Sequence, residues 1–161
     1  MPTQQNPMAP PDADVKVSEW VGITQAMIDE FGHCTLDLDP MHVDPEWAAA
    51  GPFGTTISFG FLTMSLLSRL LHSALGVPHV RDLSASGYYL NYGFERLRLI
   101  TPVPVNSRIR GRFQVIDRKV DERQRVLTTY HCVIEIEGTE RPAMVADWLG
   151  LWIPPAAVQK R

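Results

Sequence analysis

Apolar positions in this chain follow two periods, one upstream of residue 78 and another downstream. From Phe59 to Leu75, FGFLTMSLLSRLLHSAL, Leu62, Leu66 and Leu70 recur at every fourth position, as do Leu67 and Leu71, and no proline intervenes, which predicts a helix. Gly76 is placed to end it, because glycine accepts the left-handed conformation just past a helix terminus, and Pro78 cannot continue it. Phe59, Phe61, Leu62, Met64, Leu66, Leu67, Leu70, Leu71 and Leu75 spread around the helical wheel, so this helix is expected to be buried on most sides. It is short for a membrane span: its 17 residues, at about 1.5 Å each, fall below the roughly 30 Å hydrocarbon core, and Arg69 and His72 interrupt it.

Past Pro78 the period becomes two. Tyr88, Leu90, Tyr92 and Phe94 share one phase, which then slips to Leu97 and Leu99, so a bulge is expected near Gly93 to Arg96. Pro102 and Pro104 mark a turn, after which Ile109, Gly111, Phe113 and Val115 alternate with Arg108, Arg110, Arg112 and Gln114 as a half-buried strand. Residues 117–125 read as a hairpin connection, and Val126, Thr128, Tyr130, Cys132, Ile134 and Ile136 line one face of the next strand. Ala143 to Ile153 is apolar in both phases, as a central strand covered on two sides would be.

Upstream, Thr24 is a suitable cap for a helix through Gln25 to Phe31, and residues 35–43, TLDLDPMHV, read as a loop. Asp44, Pro45 and Glu46 start another short helix, with Pro45 at its first position and Glu46 facing the positive end of the dipole, and Gly51-Pro52 closes it. The sum is an α+β chain: two short helices, one long central helix, and a curved antiparallel β-sheet wrapped around it.

Composition narrows the function classes. With 161 residues and 18.1 kDa the chain makes one domain, expected over 17–155 between tails at 1–16 and 156–161. A formal charge of -3 and a pI near 5.9 give no general attraction to nucleic acid or to an anionic membrane, and neither is expected as a partner. The N-terminal MPTQQNPMAPPDADVK lacks the apolar segment of a secretory signal. Cys34 and Cys132 form no disulfide framework, which suits a reducing cytoplasm.

Candidate chemistry gathers in one stretch. DLDPMHVDP brings Asp37, Asp39, His42 and Asp44 within eight positions. Turn chemistry is one reading, with Asp39-Pro40 starting a turn and Asp44 serving as a cap. A metal site is another, although the glycine and terminal glutamate of a calcium loop are missing and no second histidine stands at zinc spacing. The third is an acid/base pair, Asp37 and His42 holding one water between a carboxylate and an imidazole. Spacing alone does not choose among them.

The company of this loop adds a resemblance. Asp-x-Asp-Pro-Met-His-x-Asp-Pro, then Gly51-Pro52-Phe53-Gly54, then Ile57-Ser58-Phe59-Gly60-Phe61-Leu62-Thr63, resembles the MaoC-like hydratases, hot-dog-fold enzymes acting on enoyl thioesters. Asn91-Tyr92-Gly93 and Pro102-Val103-Pro104-Val105 are most similar to the branch related to nodulation protein N. The resemblance implies Asp37 and His42 as the catalytic pair, the Gly60 N–H as oxyanion donor, and Ser58, Phe59, Ser68 and Asn91 as substrate contacts, with no metal and no cofactor. It further implies an acyl-CoA or acyl-carrier thioester substrate, hydration of a trans-2-enoyl group or the reverse dehydration, and a homodimer or higher homo-oligomer in the cytoplasm. Three positions depart from the family pattern: Leu36 replaces a glycine, Asp39 an asparagine and Phe59 a histidine. Phe59 sets an aromatic ring beside the oxyanion position, where it would reshape or block the thioester's seat.

Two other functions share the scaffold. A hot-dog thioesterase is less well matched, because many of those carry a carboxylate on the central helix and this helix has none. A noncatalytic acyl-thioester binding protein is the other, supported by Phe59 and Leu36. Arg108, Arg110 and Arg112 are placed to meet coenzyme A phosphates, but a solvated strand face explains them more simply. His33, His72, His79 and His131 have no partner evident from sequence, and Tyr88, Tyr92 and Phe94 suit a core or dimer contact better than an acyl pocket. No Gly-rich nucleotide loop is present.

Overall fold

A computed structural model describes residues 14–77 and 82–155. The expected tails and His79 lie outside these residues, apart from the end of the first tail, where Lys16 already pairs in the sheet. Two short strands, β1 (Lys16–Val17) and β2 (Val21–Gly22), lead into α1 (Gln25–Thr35), α2 (Pro40–Val43) and α3 (Pro45–Ala49). The central helical segment is α4 (Gly60–Ser65) followed by α5 (Leu67–Leu75), and one turn, α6 (Leu83–Ser86), precedes the long strands. These are β3 (Tyr88–Leu99), β4 (Arg108–Val120), β5 (Val126–Ile136) and β6 (Met144–Ile153). All pairings are antiparallel, in the order β1-β4-β5-β6-β3, with β2 also on β4.

The two-residue period predicts the sheet well. Val126, Thr128, Tyr130, Cys132, Ile134 and Ile136 are all buried along one face of β5, and β6 lies between β5 and β3 as a central strand. The expected slip in β3 is a pair of irregularities, at Asn91/Gly93 and Phe94/Arg96. The first segment of β3 is more open than a core strand: Tyr89 and Tyr92 are 51% and 62% exposed on this edge of the sheet.

The central helix differs from expectation in two ways. It is broken at Leu66, and the Ser65 hydroxyl donates to the Phe61 carbonyl at 2.7 Å, one turn back. Such back-bonding competes with the helix ladder and bends helices where it occurs. It is also not buried on most sides: Leu62, Thr63, Leu67 and Leu70 face inward, whereas Phe61 is 69% exposed. Leu70 packs over Gly111 of β4, where an added Cβ would lie 3.2 Å from Leu70 Cβ, so a glycine lets α5 approach the sheet. Gly76 does end α5, in the left-handed conformation.

Thr24 caps α1 through the Met27 N–H, and the helix runs four residues beyond Phe31 to Thr35. The expected loop at 35–43 contains a turn of helix, α2, because Asp39 caps it at the Met41 N–H with Pro40 in its first turn. Asp44 caps α3 through the Trp47 N–H, as anticipated.

Candidate active site

Leu36 is the C-cap of α1 at φ 61° and ψ 23°, left-handed backbone that turns the chain out of the helix. Asp37 follows, its N–H donating to the Gly32 carbonyl at 3.0 Å. Gly32 is required by this reversal, since a Cβ there would meet the Asp37 carbonyl oxygen at 2.8 Å and Phe59 Cζ at 3.2 Å. Asp37 is exposed, and its Oδ1 accepts a long bond from the Asp39 N–H at 3.4 Å.

His42 sits near the end of α2, half-buried. Its Nδ1 lies 2.7 Å from the Ile57 carbonyl oxygen. A carbonyl can only accept, so Nδ1 carries a proton, and in the neutral ring Nε2 is then the atom with the lone pair. The ring is backed by Phe59, with centroids 3.9 Å apart and planes inclined by 33°, and Phe59 in turn meets Phe31 at 5.2 Å. Phe59 is only 3% exposed, so its ring is part of the core beneath the imidazole. Asp37 and His42 share no hydrogen bond: the carboxylate receives the Asp39 N–H and the imidazole meets the Ile57 carbonyl.

Residues 56–58 run beside 103–105: the Ser58 N–H donates to the Val103 carbonyl at 2.8 Å and the Val105 N–H to the Thr56 carbonyl at 2.9 Å. This pairing delivers Phe59 as N-cap and Gly60 as first residue of α4, and no side chain caps that end. The Gly60 N–H is therefore among the donors a helix leaves unpaired at its start, at the positive end of the dipole. Gly60 is also a close approach: a Cβ would collide with Leu99 Cδ1 at the end of β3.

The remaining candidates separate. Ser58 is buried, its hydroxyl donating to the Phe59 carbonyl at 3.2 Å and lying 3.4 Å from Thr63 Oγ1. Ser68 is on α5, eight residues beyond Gly60 and so roughly 12 Å further along the helical path. Asn91 lies on β3 eight residues before Leu99, roughly 25 Å away along the strand, and does not join the others within one chain. Asp39 and Asp44 spend their carboxylates as caps. Among the described residues no group of three or more His, Cys, Asp and Glu is arranged to hold a metal ion.

Arg108, Arg110 and Arg112 are committed to ion pairs with Glu137 and Glu135, and the Arg110 guanidinium lies 4.5 Å from the centroid of Trp20. Two groupings escaped the sequence reading. His131 Nδ1 meets Asp147 Oδ1 at 2.9 Å while Arg96 binds Oδ2 through both Nε and Nη2, tying β3, β6 and β5 together. Asp147 is 4% exposed; burial opposes its charge, but the His131 and Arg96 hydrogen bonds outweigh that and hold its carboxyl below the ordinary range. A signal existed, since Asp147 is the one charge in the apolar run Ala143 to Ile153. Gln25, on α1, donates through Nε2 to Asp29 and to the His42 carbonyl, and nothing in its sequence context marks it.

These features define an α+β protein of the hot-dog fold, with the His42 ring held against Phe59 and the uncapped start of α4 at the next residue, Gly60. The model of the MaoC like domain matches residues 6–135, and the chain belongs to the MaoC-like dehydratase family. It is 43% identical over 133 residues to nodulation protein N of Rhizobium leguminosarum bv. viciae, covering 82% of this chain and 80% of that one. It is 42% identical over 130 residues to 3-hydroxyacyl-thioester dehydratase Z of Mycobacterium tuberculosis (strain ATCC 25618 / H37Rv), covering 81% and 82%. Among solved structures, the monoamine oxidase regulatory protein from Archaeoglobus fulgius superposes with a TM-score of 0.72 at 21% identity, covering 88% of this chain and 90% of that one. The (R)-hydratase from A. caviae involved in PHA biosynthesis gives 0.68 at 22% identity, covering 88% and 95%. At these identities the structural likeness is one of fold.

Proposed function

We propose that this protein is a hydratase/dehydratase that adds water to a trans-2-enoyl thioester, or removes it from the 3-hydroxyacyl thioester. The observation that carries the reading is the His42 to Ile57 hydrogen bond, which puts a proton on Nδ1 and so lets Nε2 serve as the base. The 3-hydroxyacyl-thioester dehydratase among its relatives supports the reaction class.

In the hydration direction a water between His42 Nε2 and Asp37 loses a proton to Nε2 as its oxygen bonds to C3. The C2=C3 electron pair moves toward the carbonyl, placing negative charge on the thioester oxygen, where the Gly60 N–H receives it. The same proton is then delivered to C2. An unpaired helix-start N–H costs no reorganisation at that moment, and loss of such a donor typically raises a barrier by about 3 kcal/mol. Phe59, packed under the imidazole, supports its orientation.

The substrate carrier is coenzyme A or an acyl carrier, placing the enzyme in acyl-chain metabolism. We place it in the cytoplasm, which the two free thiols Cys34 and Cys132 support. A homodimer formed along β3 accounts for the exposed Tyr88, Tyr89, Leu90 and Tyr92 on this edge, and would bring Asn91 of one copy toward the Leu99 end of β3 in the other.

Incubation with a short enoyl-CoA tests the reading, with the ultraviolet absorbance of the conjugated system and free thiol followed together. Absorbance loss without thiol is expected. Thiol release would make it a thioesterase, and binding with neither change would make it a noncatalytic carrier-binding protein.

A further inference from the structure

Gln25 stands at the start of α1, outside the loop that carries Asp37 and His42, yet its amide touches that loop and the segment that holds the imidazole. Nε2 donates to Asp29 Oδ1 at 2.8 Å and to the His42 backbone carbonyl at 2.8 Å, while Oε1 receives the Thr56 hydroxyl at 2.5 Å. The amide cannot be reversed. Asp29 and the His42 carbonyl both only accept, so the nitrogen must face them and the oxygen must face Thr56.

Thr56 is 1% exposed, and the carbonyl of the next residue, Ile57, is the acceptor of the His42 Nδ1–H. The Ile57 N–H in turn donates to the Met41 carbonyl at 3.2 Å. One side chain thus fixes both ends of the arrangement: the backbone from which the imidazole projects, and the segment before α4 whose carbonyl selects its tautomer. With either end displaced, the proton would be free to move to Nε2, and the lone pair would no longer point at the water.

We propose that Gln25 is a positioning residue for the base, acting through His42 with Thr56 as its partner, to keep Nδ1 protonated and Nε2 aimed. The inference rests on the reading of His42 as the base. Glutamate at 25 keeps the shape but replaces the two donated bonds with contacts between acceptors, and valine at 56 keeps the shape but removes the hydroxyl.

The test uses the full chain with an enoyl-CoA, together with long-range proton–nitrogen correlation NMR of the histidine rings. The His42 signals are identified by their loss in His42→Ala. In Gln25→Glu and Thr56→Val, kcat is expected to fall about 10- to 100-fold, part of the roughly 10²–10⁴-fold an acid/base group supplies, with KM within about threefold of wild type. The wild-type His42 ring should show the Nδ1–H pattern and the variants a mixture of tautomers. Thr56→Ser, which keeps the hydroxyl, should recover what Thr56→Val loses. Should Gln25→Glu fail to fold, Thr56→Val and Thr56→Ser carry the comparison.

Wild-type kcat in both variants overturns the proposal, and so does a fall in kcat with an unchanged ring pattern. Full activity in His42→Ala would remove His42 as the base while the ring pattern still reports whether Gln25 sets its tautomer, so the two failures are distinct.

Discussion

The rings of His42 and Phe59 lie with centroids 3.9 Å apart and planes 33° from parallel, so the buried Phe59 supports the imidazole from below. Phe59→Leu keeps apolar volume but removes the flat face. It should lower kcat by roughly tenfold, about 1.4 kcal/mol of barrier, with KM little changed. Phe59→Ala should cost about 3–5 kcal/mol in denaturant unfolding, because a 3%-exposed ring leaves a cavity. An unaltered kcat in Phe59→Leu would separate the stacking from catalysis.

Asp37→Asn and His42→Ala should each reduce turnover at least about a hundredfold while the fold persists. Circular dichroism and steady-state kinetics check this together. Asp37 is exposed and His42 half-buried, so neither change empties the core. Unchanged turnover in either variant would remove that residue from the mechanism.

Gly60 and Leu99 should behave as a coupled pair. An alanine at 60 places Cβ on Leu99 Cδ1, the end of a side chain that is 53% exposed and has room to rotate. The Gly60→Ala protein should therefore fold, with the displaced Leu99 crowding the thioester's seat and kcat/KM falling roughly tenfold. Adding Leu99→Ala should restore much of that loss, and a double-mutant cycle measures it.

Leu36→Gly should stabilise the protein. Leu36 is 89% exposed and left-handed at φ 61°, so it contributes little packing to offset a conformation that disfavours side chains. Relief of that strain, less the greater unfolded entropy of glycine, should be worth about 0.5–1 kcal/mol, or roughly 1–4 °C in Tm.

Asp147 should make stability acid-sensitive. Its folded pKa lies below the ordinary 3.8, so its contribution is full above that value and is lost as pH falls through the folded pKa. Asp147→Asn should be less stable than wild type at neutral pH, and the difference in Tm should narrow below about pH 4. A constant difference across that range would show that the carboxylate charge is not what Arg96 and His131 stabilise.

Local rules made much of this molecule legible in sequence. The two-residue alternation in Ile109 to Val115 and Val126 to Ile136 specifies which face of each strand is inward, because neighbouring side chains on a strand point oppositely. Thr24, Asp44 and Gly76 act where they were expected to, since capping depends on atoms only a few residues apart. A motif marked Asp37, His42 and Gly60 as the candidates for chemistry. What the sequence could not decide was orientation between distant segments. The tautomer of His42 depends on a carbonyl 15 residues away, Gln25 reaches the same loop from 17 residues off, and Asp147 meets Arg96 across 51 residues. Only packing of helices against the sheet brings such groups within hydrogen-bond range, and it also turned Phe59 inward beneath the imidazole while leaving Phe61 outside. Periodicity reports which side of its own element a residue occupies; which neighbour waits there is determined by how the elements assemble.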